Sequence, residues 1–528
     1  MSAIITDQLR ILNAKNFVSD VESSSNSYYS FVGLTNSSDY QADWDLNPPA
    51  PKDSFDQEND YWDTMVALKK IKPDDVRQVV RKVMWTSGTT YDMYRHDITR
   101  TNTSKPSGAT NIYSANYYVV NSDYRVYICL HNGVSPENPE GRPSLDEPNF
   151  TDLEPRAAGT SGDGYIWKYL YTIKPGDIVK FDSTNFIPVP KNWGESGSES
   201  FIIKSNATNG GQLKVATITN RGADLGSANR TYTNVPIRGD GSGAEATIVV
   251  GNDATVESIT ISKGGSNYTY GTVDFAAGGV PTGTISPAFN VIIPPKGGHG
   301  FDIYRELGAY NVLVYSRIEN DTENPDFILG NQISRIGIIR NPLESSTSSD
   351  LLSHDKASAL YALKLTGISS PNDYISARFT PDSIITQTIG VGATAIGRVV
   401  SYDSNTGVLK YWQDRSMVGF NTDGSPKTNP QYGFTLNRFT ASPSTGGSVT
   451  INGGSINLNI DTTFGTEESP AINMNLNNRT YQLGQYFVKG VSQPEVKKYS
   501  GEVVYVDNRP AITRSQNQKE DIKVILQF

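Results

Sequence analysis

Residues suited to acid–base or metal chemistry are scattered along this sequence rather than grouped. The four histidines are His96, His131, His299 and His354. None has a second histidine at the helical spacing that metal ligands require. His96 could act as an acid or base between Arg95 and Asp97, but the missing partner residues favour a structural or exposed role. The chain also lacks HExxH, a GxSxG elbow and a Walker-type Gly-Lys-Ser/Thr loop.

Paired acidic residues are the second candidate for chemistry, because two carboxylates at a suitable distance can cleave glycosidic bonds. The acidic pairs are Asp43 and Asp45, Asp74 and Asp75, and Glu467 and Glu468. Helix capping explains Asp74 and solvated loops explain the others. No acidic run matches a calcium loop, and residues 239–243 (GDGSG) lack the lysine and following helix of a phosphate loop, so they are predicted to form a turn. The sequence thus predicts no enzyme activity, cofactor or metal.

Aromatic residues form the most regular pattern. They alternate along one predicted strand, at Tyr165, Trp167, Tyr169 and Tyr171. Alternate residues of a strand share a face, and Ile166 and Leu170 make the opposite face largely apolar as well. The strand is therefore predicted to lie between two layers, as core or subunit interface. A sugar-binding platform is the less favoured alternative.

Composition narrows the class of protein. The 46 basic and 55 acidic residues give a net charge of −9, which argues against a general binder of nucleic acid or acidic membranes. Cys129 is the only cysteine, so an intrachain disulfide and a multi-cysteine zinc site are excluded, and a buried thiol is expected. No signal peptide and no membrane-spanning apolar run are recognised, which predicts a soluble protein that stays inside a cell or on a particle built there.

The chain is predicted to be mainly β, because runs rich in Tyr, Thr, Val and Ile are separated by many of the 47 glycines and 28 prolines. Helices are expected only near the N-terminus, at about residues 6–17, 61–70 and 73–83. Residues 398–402 and 408–412 are predicted to form a hairpin. Residues 503–506 and 522–526 are predicted to form another, which ends on a packed Phe528.

Two shifts in composition indicate insertions into a core. Residues 215–222 and 257–264 resemble each other, which suggests a degenerate repeat of about forty residues in a small β domain. The second shift covers residues 367–470, which are rich in Thr, Ser, Asn and Gly. Residues 133–162, which hold five prolines, are predicted to be an ordered surface loop or a partner-binding arm. The predicted division is core at 1–194, 297–366 and 471–528, with inserted β domains at 195–296 and 367–470.

Three motifs resemble, in order, those of one phage family. They are GDGYIWKYLY at 162–171, ISRIGIIRNPLE at 333–344 and YSGEVVYVDNRP at 499–510. The aromatic strand at 28–31, the proline-rich loop at 47–51 and the helix containing Trp62 follow the same order. Together they resemble the baseplate wedge subunit called gene product eight in T-even-like contractile-tailed bacteriophages. The likeness covers about residues 1–194, 297–345 and 495–528, and both insertions are absent from the T-even form.

This resemblance implies a late, non-enzymatic structural protein of the virion, located in the tail baseplate and assembled in the host cytoplasm. It implies a layered β-sandwich core with a few N-terminal helices, and a homodimer that contacts wedge proteins resembling gene products six, seven and ten. Such a protein would transmit the rearrangement that triggers sheath contraction. Interface or core candidates are Tyr165, Trp167, Tyr169, Tyr171, Arg509 and Pro510.

Two other functions remain open at this point. The insertions could bind a host-surface glycan, or the chain could be a depolymerase-like tail protein. Neither reading involves nucleic acid or a membrane.

Overall fold

The computed structural model describes residues 3–35, 43–209, 211–318, 332–345, 349–353, 356, 358–366, 379–419, 432–454, 456–513 and 519–528. Strands make up most of the regular structure there, and the prediction of a mainly β protein is confirmed. The helices are α1 (Asp7–Glu22), α2 (Phe55–Thr64), α3 (Pro175–Phe181), α4 (Glu199–Asn209) and α5 (Ile303–Leu307). No helix of the described residues is long and apolar enough to cross a membrane.

The strands are numbered in chain order. They are β1 (Tyr28–Gly33), β2 (Met65–Lys70), β3 (Val76–Arg81), β4 (Tyr118–Val120), β5 (Arg125–Asn132), β6 (Tyr165–Thr172), β7 (Phe186–Pro188), β8 (Ala216–Asn220), β9 (Arg230–Gly239), β10 (Ser242–Val250), β11 (Val256–Ser266), β12 (Gly271–Val273), β13 (Ala288–Val291), β14 (Asn311–Ile318), β15 (Gln332–Arg340), β16 (Tyr361–Lys364), β17 (Ile384–Gly390), β18 (Ala393–Asp403), β19 (Val408–Trp412), β20 (Thr450–Gly453), β21 (Ile456–Asn459), β22 (Ala471–Leu476), β23 (Arg479–Phe487), β24 (Val491–Ser492), β25 (Glu502–Thr513) and β26 (Glu520–Gln527).

The chain forms two compact units. The first consists of Met1–Val18, Val76–Val314 and Val524–Phe528, and the second of Ser19–Asp75 and Tyr315–Lys523. Three of the boundaries between the two units fall inside an element, namely α1, β14 and β26. The five-part division expected from the sequence remains a prediction.

The first unit contains a sheet of order β4-β5-β6, a sheet of order β11-β10-β9-β12, the pair β13-β8, and most of a sheet of order β26-β14-β3-β7. Its larger core surrounds β4, β5 and β6 and is rich in tyrosine, with Tyr117, Tyr118 and Tyr127 fully buried. A second core is formed by residues of strands β8 to β13 and of their connections, and valine and isoleucine predominate in it. Phe528 ends the chain here, with its ring 5.6 Å from that of Phe17.

The second unit contains a sheet of order β2-β1-β15-β25, a seven-stranded sheet of order β21-β20-β17-β18-β19-β16-β24, and the pair β22-β23. The first of these sheets packs Tyr29, Phe31 and Ile339 against Trp62 of α2. The seven-stranded sheet has its own core around Leu363, Tyr411 and Ile451.

Two of the three predicted helices need correction. Helix α1 is confirmed, but the pattern at 61–70 is divided between the end of α2 and strand β2. The pattern at 73–83 is a short 3₁₀ turn, Pro73–Asp75, followed by strand β3. Valines at 76, 79 and 80 fit the helical period, but β-branched side chains favour strands, and burial on both faces hides the alternation that would have indicated one. Helices α3, α4 and α5 were not predicted.

The predicted C-terminal hairpin is also wrong. Both strands exist, but β25 pairs with β15 while β26 lies beside β14 in a different sheet. Proximity in sequence therefore misled the prediction of pairing. By contrast, β18 and β19 form the predicted hairpin, and Asp240 and Gly241 make the predicted turn between β9 and β10.

The tyrosine-rich core allows a test of how strongly β6 supports the first unit. Trp167 is fully buried, so Trp167→Ala is expected to lower the free energy of unfolding by about 3–5 kcal/mol. Urea unfolding followed by circular dichroism would measure the loss. The control is Tyr270→Ala, which removes a side chain that is 61% exposed and is expected to cost no more than about 0.5 kcal/mol. Equal losses for the two variants would contradict this account of the core.

Candidate functional site

The four aromatic candidates of β6 are all buried within the chain. Tyr165 stacks on Trp167 at a ring distance of 5.3 Å, and Tyr91 meets the same indole edge-on at 5.9 Å. Tyr169 and Tyr171 are at most 3% exposed. In a single chain these side chains form core, and they offer no surface to a partner.

The tyrosine hydroxyl groups of this core hold the surrounding loops in place. The Tyr165 hydroxyl donates to the Arg142 carbonyl oxygen at 2.7 Å, and that of Tyr127 donates to Phe150 at 2.6 Å. Both acceptors belong to the segment 133–162, in which Phe150 is buried. The hydroxyl of Tyr171 reaches Pro188 in β7 at 3.1 Å. Burial raises the pKa of all three phenols, so they remain donors at physiological pH.

A cleft of about 510 Å³ lies between the loop 133–162, β6, β8 and β11. Its walls include the apolar side chains of Val134, Ile166, Ile218, Ile259 and Ile261. Two ion pairs connect the loop to the residues that flank β8. Glu154 lies 2.7 Å from Lys214, and Glu137 lies 2.6 Å from Arg221. The Arg221 guanidinium lowers the pKa of the Glu137 carboxyl to about 2.

None of the three acidic pairs considered from the sequence lines this cleft. Asp45 accepts the Ala511 N–H at 3.0 Å, and Asp75 accepts the Lys72 N–H at 3.2 Å. Glu467 lies 3.6 Å from the ammonium of Lys489. Within the described ranges, no group of three or more His, Cys, Asp or Glu side chains is arranged to hold a metal ion.

The three described histidines and Cys129 occupy structural positions in the fold. His96 is exposed, and its Nδ1 accepts the Ile293 N–H at 3.2 Å. His299 is buried with its Nδ1 2.6 Å from a Glu306 oxygen, while His131 lines the cleft. His354 lies outside the described residues. Cys129 is fully buried, as expected, and burial raises the pKa of its thiol well above the ordinary value.

Arg509 and Pro510 are both exposed on β25. They lie where the ladder to β15 is interrupted, between the pairs Arg335–Asn508 and Ile333–Ile512. Proline has no N–H to give to a ladder, which explains the interruption. The Arg509 carbonyl oxygen accepts the indole N–H of Trp44 at 2.9 Å, so this part of β25 anchors the segment after residue 42.

A partly buried charge cluster in the second unit was not predicted. The Arg415 guanidinium makes two hydrogen bonds to the Asp63 carboxylate, at 2.5 and 3.2 Å, and Tyr499 donates a short hydrogen bond to the same group. Arg415 also lies 4.9 Å from the centre of the Tyr499 ring. Beside the cluster, the Lys498 ammonium donates to the Trp62 carbonyl oxygen at 2.6 Å. Three segments distant in sequence thus meet at Asp63.

Comparison with protein families gives one match. Residues 3–144 match the model of the Phage-Gp8 family, described as Bacteriophage T4, Gp8. The resemblance to the gene product eight family is confirmed there. These residues contain α1, α2 and β1 to β5, whereas the three longer motifs and both predicted insertions lie beyond the match. The match supports a structural role in a phage tail baseplate. A comparison with curated proteins gives no match.

Two amines lead to a prediction on pH. Burial lowers the pKa of Lys498 and of Lys168 to about 8, below the ordinary value of 10.5. Between pH 8 and pH 9 the unfolded chain holds protons on these amines that the folded chain has lost, and tyrosine phenols stay largely protonated in both states. The free energy of unfolding is therefore expected to rise from pH 8 to pH 9. Each amine contributes at most about 1.4 kcal/mol per pH unit.

Calorimetry at pH 8, 8.5 and 9 would measure this rise as an increase in melting temperature. Lys498→Met and Lys168→Met are each expected to reduce the slope, and the double variant should remove most of it. The control is Lys263→Met, at a side chain that is 61% exposed, which should keep the wild-type slope. An unchanged slope in the double variant would contradict the assignment.

Proposed function

We propose that this chain is a structural subunit of a phage baseplate wedge, which assembles with other wedge proteins and transmits the rearrangement that triggers sheath contraction. The observation that carries the proposal is the Gp8 family match over residues 3–144. The matched segment contributes strands to cores in both compact units, so the likeness concerns the framework of the protein rather than an isolated appendage.

The architecture suits a subunit that transmits mechanical force. The sheets of the second unit are antiparallel, and the pairing of β1 with β15 and of β15 with β25 joins distant parts of the chain. A force on one part is thereby shared across many backbone hydrogen bonds. In the first unit, the tyrosine hydroxyl groups fix the loop 133–162 to the same core that carries the sheet.

The partners in this proposal follow from the family. The chain forms a homodimer, lies in the tail baseplate of the virion, and contacts wedge proteins resembling T-even gene products six, seven and ten. It is assembled in the host cytoplasm and acts without catalysis. In the single chain the β6 aromatics support this role from within the core, whereas the side chains of Arg509 and Pro510 are exposed.

A second candidate function is recognition or cleavage of a host-surface carbohydrate. The cleft of about 510 Å³ favours it, because its size suits a small ligand and Ser258, Thr260 and Ser262 are among its lining residues. The acidic side chains in its lining weigh against cleavage, since Glu154 is paired with Lys214 and only Glu257 remains beside it.

Gene replacement in the phage would test the structural role. Inactivation of this gene is expected to yield lysates without complete baseplates, because a wedge lacking one framework subunit does not close into the assembled plate. Electron microscopy of the lysates is the measurement. Complementation with the wild-type chain should restore infectious particles.

The matched comparison uses two complementing variants. Trp167→Ala removes a buried core side chain and is expected to restore few particles, while Tyr270→Ala should restore them fully. Complete particles that fail only to adsorb to cells would overturn the structural proposal and support carbohydrate recognition. Release of reducing sugar from host polysaccharide by the purified chain would overturn the non-enzymatic part.

A further inference from the structure

Strand β25 lies at the edge of its sheet. One of its edges pairs with β15, from the pair Arg340–Glu502 to the pair Gln332–Thr513. In the part of the chain that the structure describes, no strand pairs with the opposite edge. Such an edge presents backbone N–H and C=O groups that can accept an additional strand.

The protein covers one half of this outer edge and leaves the other half open. Around residues 508–511, the segment that begins at Asp43 supplies the cover. Trp44 donates to the Arg509 carbonyl oxygen, Asp45 accepts the Ala511 N–H, and the Asn508 side chain reaches Pro49. At residues 503–506, no hydrogen bond from the described residues reaches the outer edge.

The open half also lacks the features with which proteins block an edge strand. Its sequence is Val-Val-Tyr-Val, without charge or proline, whereas Pro510 lies in the covered half. Val503 and Val506 pack partly against the core, and Val504 is 44% exposed. This stretch has the composition of a strand that pairs on both sides.

A groove of about 310 Å³ runs along the open half. One wall is formed by residues 503–506, and the other by residues 51–54 together with Glu58 and Tyr61 of α2. Its rim is acidic, because it carries two carboxylates, Asp53 and Glu58, and one amine, Lys52. Glu502 precedes the open half and lies 3.1 Å from the Arg340 guanidinium.

We propose that an extended segment of a partner protein binds in this groove and pairs with residues 503–506 as a fifth strand of the sheet. The segment alternates apolar and basic residues, since apolar side chains complement Val504 and basic ones complement the rim. A second copy of this chain is the weaker occupant, because it would bring an identical acidic rim to the same place. The inference rests on the proposed structural function and adds to it the chemistry of one partner.

Binding of synthetic peptides to the full chain tests the proposal. The probe is a fluorescent seven-residue peptide in which valine alternates with lysine, and the comparison peptide carries glutamate in place of lysine. The basic peptide is expected to bind at least about tenfold more tightly. Hydrogen exchange, read by mass spectrometry, should show new protection of the amides at 503–506 when it binds.

Two variants of the same strand provide the matched control. Val504→Lys places a charge inside the groove and is expected to weaken binding of the basic peptide by about tenfold or more. Ile512→Lys makes the same change at a residue that is 47% exposed outside the groove, and should alter binding by less than about twofold. Equal effects of the two variants, or equal binding of the two peptides, would overturn the proposal.

A measurement of self-association distinguishes the partner segment from a second copy of this chain as the occupant of the groove. If sedimentation shows that the wild-type chain dimerises and that Val504→Lys alone abolishes the dimer, a second copy occupies the groove and the partner assignment is wrong. The proposed function is judged separately, by the gene-inactivation experiment. Missing baseplates there, together with no peptide binding here, would retain the structural role and overturn only this site.

Discussion

Strand β15 occupies the position on which the second unit depends. It is paired with β1 on one side and with β25 on the other, so it joins strands from near the two ends of the chain. Its Arg335 is 2% exposed and donates to Thr64 at 2.9 Å and to Asn508 at 3.0 Å. The same guanidinium lies 4.7 Å from the centre of the Tyr61 ring. Because a buried cation is tolerated only when its donors are satisfied, this arginine fixes the relative positions of α2, β15 and β25.

Several features of the surface follow from that arrangement. With β25 held beside β15, the peptide groups around Arg509 are available to Trp44 and Asp45, which positions the segment before α2. The wall formed by residues 51–54 then faces the free part of β25 and creates the groove. The groove, the exposed valine and the covered proline region therefore depend on the pairing of β25 with β15.

Local patterns in the sequence predicted individual elements well and pairing poorly. The alternation at 165–171 correctly indicated a strand with two buried faces, and the turn residues at 403–407 correctly indicated a hairpin between β18 and β19. The valines at 76, 79 and 80 led to the wrong prediction of a helix, because the same spacing suits a helix face and a strand buried on both sides. The separation of β25 from β26 could not be predicted, since which sheet a strand joins is decided by partners hundreds of residues away.

The candidate site shows the same limit. The burial of Trp167 and Cys129 followed from their apolar surroundings in sequence. By contrast, the cluster of Asp63, Arg415 and Tyr499 combines residues from three distant segments, and each alone resembles an ordinary polar surface residue. The only local signal was that Tyr499 opens the last of the motifs at 499–510. Neither the cleft beside β8 nor the groove beside β25 has any signature within a single stretch of sequence.

The order of strands in the β2-β1-β15-β25 sheet has a consequence for synthesis. Strands β1 and β2 leave the ribosome early, but β15 begins at residue 332 and β25 at residue 502. At about 5–20 residues per second, the first two strands wait on the order of tens of seconds for their partner. During that time β1 exposes an edge rich in aromatic residues. The nascent chain is thus most prone to aggregation before β15 emerges, and this sheet is complete only after β25 has emerged as well.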